Sequence, residues 1–277
     1  MRPRGAGWVI DGTVGMGGHA EAVLRTSGDD VRLLGTDVDP EALARARARL
    51  TAFGDRVVLT RANFRELPRV AAAHGVTDAR AILLDLGVSS YQLDESGRGF
   101  SFQADEPLDM RLDPEHGRTA AALVNDTDER ELARVLFEHG GERFARRIAR
   151  AIVRRRPLRT TGDLVAAVRA AVPRAAWPRR THVATRTFQA LRIAVNDETG
   201  ALRQTLQEIP GLLAVGGRLG VISFHSGEDR IVKQAFRALA AARFAALEPS
   251  PLTPGDDEVR ANPRARSAKL RVLERTS

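Results

Sequence analysis

Three aspartates stand where one chemical task could use them together. Asp11, Asp37 and Asp85 each close a short apolar run: Trp8-Val9-Ile10-Asp11, Arg32-Leu33-Leu34-Gly35-Thr36-Asp37 and Ala81-Ile82-Leu83-Leu84-Asp85. Glycines at 12, 15, 17 and 18 follow the first, with His19 behind them. Such glycines let a loop turn sharply and let a ligand approach the backbone unobstructed. Asp37 falls about 20 residues beyond them, where a nucleotide-binding βαβ unit carries the acid that grips ribose hydroxyls. A turn that binds nothing would share the glycines but has no need of that acid. The loop lacks the G-x-G-x-x-G spacing of a pyrophosphate site. Asp11 would also repel a diphosphate and attract a cationic sulfonium or ammonium group. These residues point to S-adenosylmethionine, a methyl donor, ahead of a nicotinamide dinucleotide.

The elements that must position these acids are legible around them. Residues 18 to 27 have helical spacing. Asp39-Pro40-Glu41 supplies an N-cap, a first-turn proline and an acid at the positive end of a helix, and Leu43, Ala46 and Leu50 continue an apolar stripe. Val57-Val58-Leu59 reads as a third strand, followed by Asn63-Phe64. The run ending at Asp85 is unbroken in apolar character, as a strand buried on both faces should be. Strands alternating with helices predict an α/β fold, a Rossmann-like doubly wound parallel sheet. Ligands of such sheets bind at the carboxyl ends of the strands, which is where Asp11, Asp37, Phe64 and Asp85 converge. Phe64 is either core, the usual fate of an aromatic after a strand, or a flat wall against adenine. Asp85 is either a loop cap or an acceptor facing the reacting centre.

From about residue 94 the character changes to irregular loops, then to helices without strands from about 118 to 195. Strand signals return at Gly217 to Phe224. This predicts a helical insertion over 106–189 in a domain formed by 1–105 and 190–277. Within it, Glu142 to Arg156 carries Phe144, Ile148, Ala151 and Ile152 on one stripe and Arg143, Arg146, Arg147, Arg150 and Arg154 to Arg156 elsewhere. Such a face is either merely solvated or grips phosphates and stacks on exposed bases. Thr160-Thr161-Gly162-Asp163 opens the next helix with a capping-box pattern. Near the end, Glu248 to Glu258 reads as a turn-rich linker and Lys269 to Glu274 as a last strand.

Composition bounds the rest. The 277 residues, 43% apolar, can bury a large core, and no run of 18 apolar residues predicts a membrane span. The start, Met-Arg-Pro-Arg-Gly-Ala-Gly, has no apolar segment of a secretory signal; with zero cysteines, a cytoplasmic protein is expected. Neither a zinc pattern nor a G-x-S-x-G elbow is present, so no metal and no hydrolase triad is expected. The formal charge is +8, and of 43 basic residues only Lys233 and Lys269 are lysines. A GC-rich genome explains the arginine bias but not the positive excess, which favours a polyanionic partner, most plausibly nucleic acid.

With these stretches in hand, the chain resembles the bacterial 16S ribosomal RNA cytosine-N4 methyltransferases. The matching residues include Asp11-Gly12-Thr13, Gly15-Met16-Gly17-Gly18-His19, Leu83 to Ser90, Arg98 to Phe102, Pro107 to Arg111 and Glu142 to Ala145. Thr185 to Ile193, Ser223-Phe224-His225-Ser226, Glu228-Asp229-Arg230 and Asn262 to Ser267 complete the set. Tyr91 and Gly227 depart from the pattern, and the segment before the first strand is short for the family. The resemblance implies S-adenosylmethionine contacts at Gly17, Gly18, His19, Asp37, Phe64, Asp85 and Gln92, with Asp85 also the candidate catalytic acceptor. It implies a helical substrate-recognition insertion, with Arg146, Arg147, Arg150, Arg186, Ser223 and His225 as candidate substrate contacts. The implied reaction is N4-methylation of a cytidine, position 1402 in the family, in 16S ribosomal RNA of the small ribosomal subunit. A non-catalytic RNA-binding or assembly protein on the same fold, and a nicotinamide-dependent oxidoreductase, remain the competing readings; monomer and homodimer stay equally open.

Overall fold

The structure, a computed structural model, describes residues 6–240 and 243–277. The basic start at 1–5, on which the absence of a signal was read, lies outside the described residues.

Seven strands make one sheet: β1 (Gly7–Asp11), β2 (Val31–Asp37), β3 (Val57–Arg61), β4 (Ala79–Asp85), β5 (Leu213–Ser223), β6 (Phe244–Ala246) and β7 (Lys269–Arg275). Their order is β3-β2-β1-β4-β5-β7-β6. The first five strands pair in parallel. β7 runs antiparallel to both neighbours, so the expected parallel sheet ends in an antiparallel edge. The inner strands are rich in apolar residues because both faces are covered; Ile10, Leu33, Leu34, Ile82, Leu84 and Leu219 have no exposed surface.

Helices α1 (Gly18–Thr26), α2 (Pro40–Leu50) and α3 (Leu67–Ala73) connect the first four strands. Asp39 caps α2 by accepting from the Glu41 N–H at 3.1 Å. Between β4 and β5 come α4 (Ser90–Asp94), α5 (Ala120–Asp126), α6 (Glu129–Gly140), α7 (Ala145–Arg155), α8 (Thr161–Ala171) and α9 (Thr185–Asn196). Helices α10 (Glu198–Glu208), α11 (Ser226–Leu239) and α12 (Asp256–Ala261) complete the chain.

Two compact units result: one holds the chain up to Gly87 together with Thr199–Ser277, the other Val88–Glu198. The helical unit is thus longer than the expected 106–189. Its core explains why: Phe100 and Leu191, which the sequence reading places in the sheet domain, are buried with Leu108, Met110, Leu132 and Ile148. The buried stripe of α7 is Ala145, Ile148, Ala149 and Ile152; Ala151, expected on it, is only half-buried. The Thr160 capping box forms as read. The 248–258 stretch is not a free linker, because Leu252 bridges to Leu270 and Ser250 Oγ accepts from Arg271 at 3.1 Å.

Candidate functional site

Asp11, Asp37 and Asp85 are the last residues of β1, β2 and β4. These strands are adjacent, and the order of connections reverses between β1 and β4. The crevice at such a reversal is where open α/β sheets bind ligands. Phe64 begins the short turn after β3, so the four residues stand at the same edge, as the strand assignment predicts.

The glycine loop is pinned to that edge by backbone hydrogen bonds. The Gly12 N–H donates to Leu83 O at 2.9 Å and the Val14 N–H to Thr36 O at 2.9 Å. A side chain at Gly12 would meet Leu84 Cδ2 at 2.6 Å and Leu67 Cδ1 at 2.8 Å, so only glycine fits so close to the sheet. Gly17 precedes α1 with φ 83°, a left-handed conformation that glycine adopts without a Cβ clash. Thr13 was not singled out by sequence. Its Oγ1 accepts from the Asp85 N–H at 2.6 Å and so ties the loop to the tip of β4. The only signal for it was its place directly after Asp11-Gly12.

Each acid has a distinct environment. Asp37 Oδ2 accepts from the Gly15 N–H at 2.9 Å and Oδ1 from the Asp39 N–H at 3.0 Å. Burial pushes its pKa up, and these amides oppose the rise. Asp11 is buried and accepts from the Thr13 N–H at 3.2 Å. Desolvation dominates there and pushes it up to about 7, with the Thr13 amide and His19 pulling down. Asp85 Oδ2 lies 3.2 Å from His19 Nε2, while Asp85 Oδ1 is buried with no hydrogen-bond partner among the described residues. That contact raises the His19 pKa, against desolvation. Gly18 opens α1, directly before His19. Phe64 is half-buried and packs on the sheet core.

The other candidates are placed elsewhere or held in structural contacts. Gln92 belongs to the helical unit, buried, where its Oε1 accepts from the Ser89 N–H at 2.8 Å in a capping box. Ser223 is buried at the end of β5 and donates to Lys269 O at 3.4 Å. His225 caps α11, its Nδ1 accepting from the Gly227 and Glu228 amides. Its Nε2 is 3.0 Å from Glu228 Oε1 yet out of hydrogen-bond alignment, so it is buried without a hydrogen bond. Arg146, Arg147 and Arg150 are exposed on α7, Arg150 with Glu129 at 3.3 Å. Arg186 is exposed on α9 and donates to Gly141 O at 3.2 Å. For a metal, Asp113, Glu115 and His116 form a surface grouping among the described residues, accounted for by the 3.0 Å His116–Asp113 contact.

Chemically, the sheet edge offers carboxylate oxygens and backbone, with His19 as the one basic side chain among Asp11, Asp37, Phe64, Asp85 and the glycine loop 12–19. It suits a ligand bearing hydroxyls and positive charge, and it opposes a diphosphate.

Comparison with known proteins bears on that set. The chain matches the family model described as the MraW methylase family over residues 1–276. It is 50% identical over 295 residues to a "Ribosomal RNA small subunit methyltransferase H" of Heliobacterium modesticaldum, covering 99% of this chain and 94% of the relative. A protein of the same name from Myxococcus xanthus is 52% identical over 291 residues, covering 99% and 93%. Among solved structures, a putative rRNA-methylase from Clostridium thermocellum aligns with TM-score 0.48 at 13% identity, covering 97% of this chain and 88% of that one.

Proposed function

Because the chain belongs to the MraW methylase family, we propose that it uses S-adenosylmethionine to methylate small-subunit ribosomal RNA. The acceptor in this reading is N4 of a cytidine, position 1402 of 16S RNA. The observation that carries the donor assignment is the gathering of Asp11, Asp37 and Asp85 at the adjacent tips of β1, β2 and β4, with Asp11 buried and held up to about 7. Three clustered carboxyl groups are a condition that a cationic, hydrogen-bonding ligand relieves and a diphosphate aggravates. The residues therefore fit the donor and disfavour the nicotinamide reading.

Asp37 would take the ribose hydroxyls on the remaining lone pairs of oxygens that already accept from the Gly15 and Asp39 amides. Phe64 would cover the adenine, Gly17 and Gly18 let the donor lie against backbone, and Gln92 completes the set implied by the family resemblance. When bound, S-adenosylmethionine supplies an electrophilic methyl group on a sulfonium. The chain's own task is mainly positional, since the cytosine amine is a weak nucleophile and alignment lowers the barrier most. The amine lone pair is delocalised into the ring; an acceptor on its hydrogens favours the pyramidal nitrogen of the transition state. Asp85 Oδ1 is that acceptor, while His19 holds Oδ2 and fixes the carboxylate plane. Ser223 and His225 are second candidates for touching the base, and the arginines of α7 with Arg186 hold RNA phosphates. The target base must leave its stack to be reached.

The test is mass spectrometry of ribosomal RNA from cells lacking this protein, then from cells complemented with it or with Asp85→Asn. Loss of one N4-methylcytidine, restored only by the unaltered chain, is expected. An unchanged methylation pattern overturns the reading. Restoration by the variant removes Asp85 as the acceptor, and failure of the purified chain to transfer methyl from labelled donor to small subunits assigns it a non-catalytic assembly role.

A further inference from the structure

Helices α6 and α7 enclose a groove of about 900 Å³, within the range of roughly 300–1,000 Å³ typical of ligand clefts. Phe137 lines it, 64% exposed and the most exposed large hydrophobic side chain among the described residues. A solvated aromatic at the end of an amphipathic helix contributes nothing to that helix's packing, since α6 buries Leu132, Val135 and Leu136 instead. Across the groove, α7 and the turn before it present Arg143, Arg146 and Arg147. None has an ion-pair partner among the described residues, whereas Arg134 is held by Glu131 and Glu138, and Arg150 by Glu129. Arg147 lies over the Phe144 ring at 6.0 Å, so a guanidinium already stacks on an aromatic here.

We propose that this groove binds single-stranded RNA, with one unpaired base stacked on Phe137 and the flanking phosphates held by Arg143, Arg146 and Arg147. This rests on the ribosomal RNA reading and adds to it a defined subsite for an unpaired nucleotide. Aromatic faces beside guanidinium groups are what single strands use, because every base has a face to stack and every linkage an anion. A duplex hides its base faces and would engage only the arginines. An acidic peptide would satisfy the arginines alone and leave Phe137 without a flat partner.

The experiment uses the full chain without donor and a short single-stranded oligoribonucleotide carrying one 2-aminopurine, alongside the same sequence as a duplex. The single strand should bind more tightly, with the fluorophore quenched by stacking. Phe137→Ala should weaken binding roughly tenfold or more and abolish quenching without changing the salt slope, and Phe137→Trp should restore both. Arg143→Gln with Arg147→Gln should lower the salt slope by about 1.4, two phosphates' worth on a single strand. Phe137 is exposed, so its replacement leaves folding intact. Equal affinity of Phe137→Ala and the unaltered chain, equal affinity for duplex, or displacement of the RNA by a poly-glutamate peptide at matched charge would each overturn the proposal. Methyl transfer to small subunits, assayed separately, distinguishes the two readings. Stacking on Phe137 in a chain that transfers no methyl removes the enzyme alone; methyl transfer with Phe137 irrelevant removes the groove alone.

Discussion

His19 Nε2 stands 3.2 Å from Asp85 Oδ2, and the other oxygen of the same carboxylate is buried with no hydrogen-bond partner among the described residues. One oxygen is thereby committed to the first turn of α1, and in the proposed reaction the other accepts from the amine. Asp85→Asn keeps the shape but weakens the acceptor. We expect single-turnover methyl transfer at saturating donor to fall by about 10²–10³, with donor affinity changing far less. A variant that loses donor binding while the saturated rate stays intact would make Asp85 a donor contact only.

Asp11 sets a pH dependence whose sign follows from its burial. Its folded value, about 7, lies above the ordinary 3.8. The folded state therefore holds the proton more tightly, and the stability this confers is present below the ordinary value and lost as pH rises through about 7. His19, also raised, adds stability of the same sign that is lost at higher pH. Denaturant titrations from pH 4 to 8 should show a steeper decline for the unaltered chain than for Asp11→Asn. A bound cation should expel the Asp11 proton, so calorimetry near pH 6 in buffers of different ionisation heat should detect proton release that Asp11→Asn abolishes.

Asp37 both accepts from the glycine loop and stands where ribose hydroxyls would lie. Asp37→Ala should weaken S-adenosylmethionine binding by about 10- to 100-fold, the scale of hydrogen bonds to a charged group, as read by calorimetry. Unchanged affinity would remove Asp37 from the site.

The arginines of α7 are unequal, because Arg150 is already paired with Glu129 and Arg146 and Arg147 have no ion-pair partner among the described residues. Replacing all three by Gln should weaken binding to small ribosomal subunits and lower the salt slope by about 1.4, the value for two phosphate contacts on a single strand. A slope that does not move makes the helix a solvated face.

What the sequence disclosed, and what it did not, divides along physical lines. The tips of β1, β2 and β4 were legible because an apolar run that stops at a carboxylate marks both a buried strand and its end. The start of α2 was legible because Asp39-Pro40 is local chemistry. Strand β6 was not, since its three residues take their conformation from pairing with β7 and carry no pattern of their own. The start of the helical unit was missed for the same reason. Residues 94–105 look irregular, yet Phe100 is buried with residues dozens of positions away. At the site, the acids could be read, but the pairing of His19 with Asp85 and the grip of Thr13 on the Asp85 amide could not. Both join residues more than 60 positions apart.

The central claim is that the edge formed by β1, β2 and β4 presents a methyl donor. A crystal structure of the chain soaked with S-adenosylmethionine tests it most directly. The account predicts ribose hydroxyls on Asp37, the adenine against Phe64 and the sulfonium end toward Asp11 and Asp85. Density for the ligand elsewhere, or an edge closed by the protein's own side chains with none bound, would contradict it.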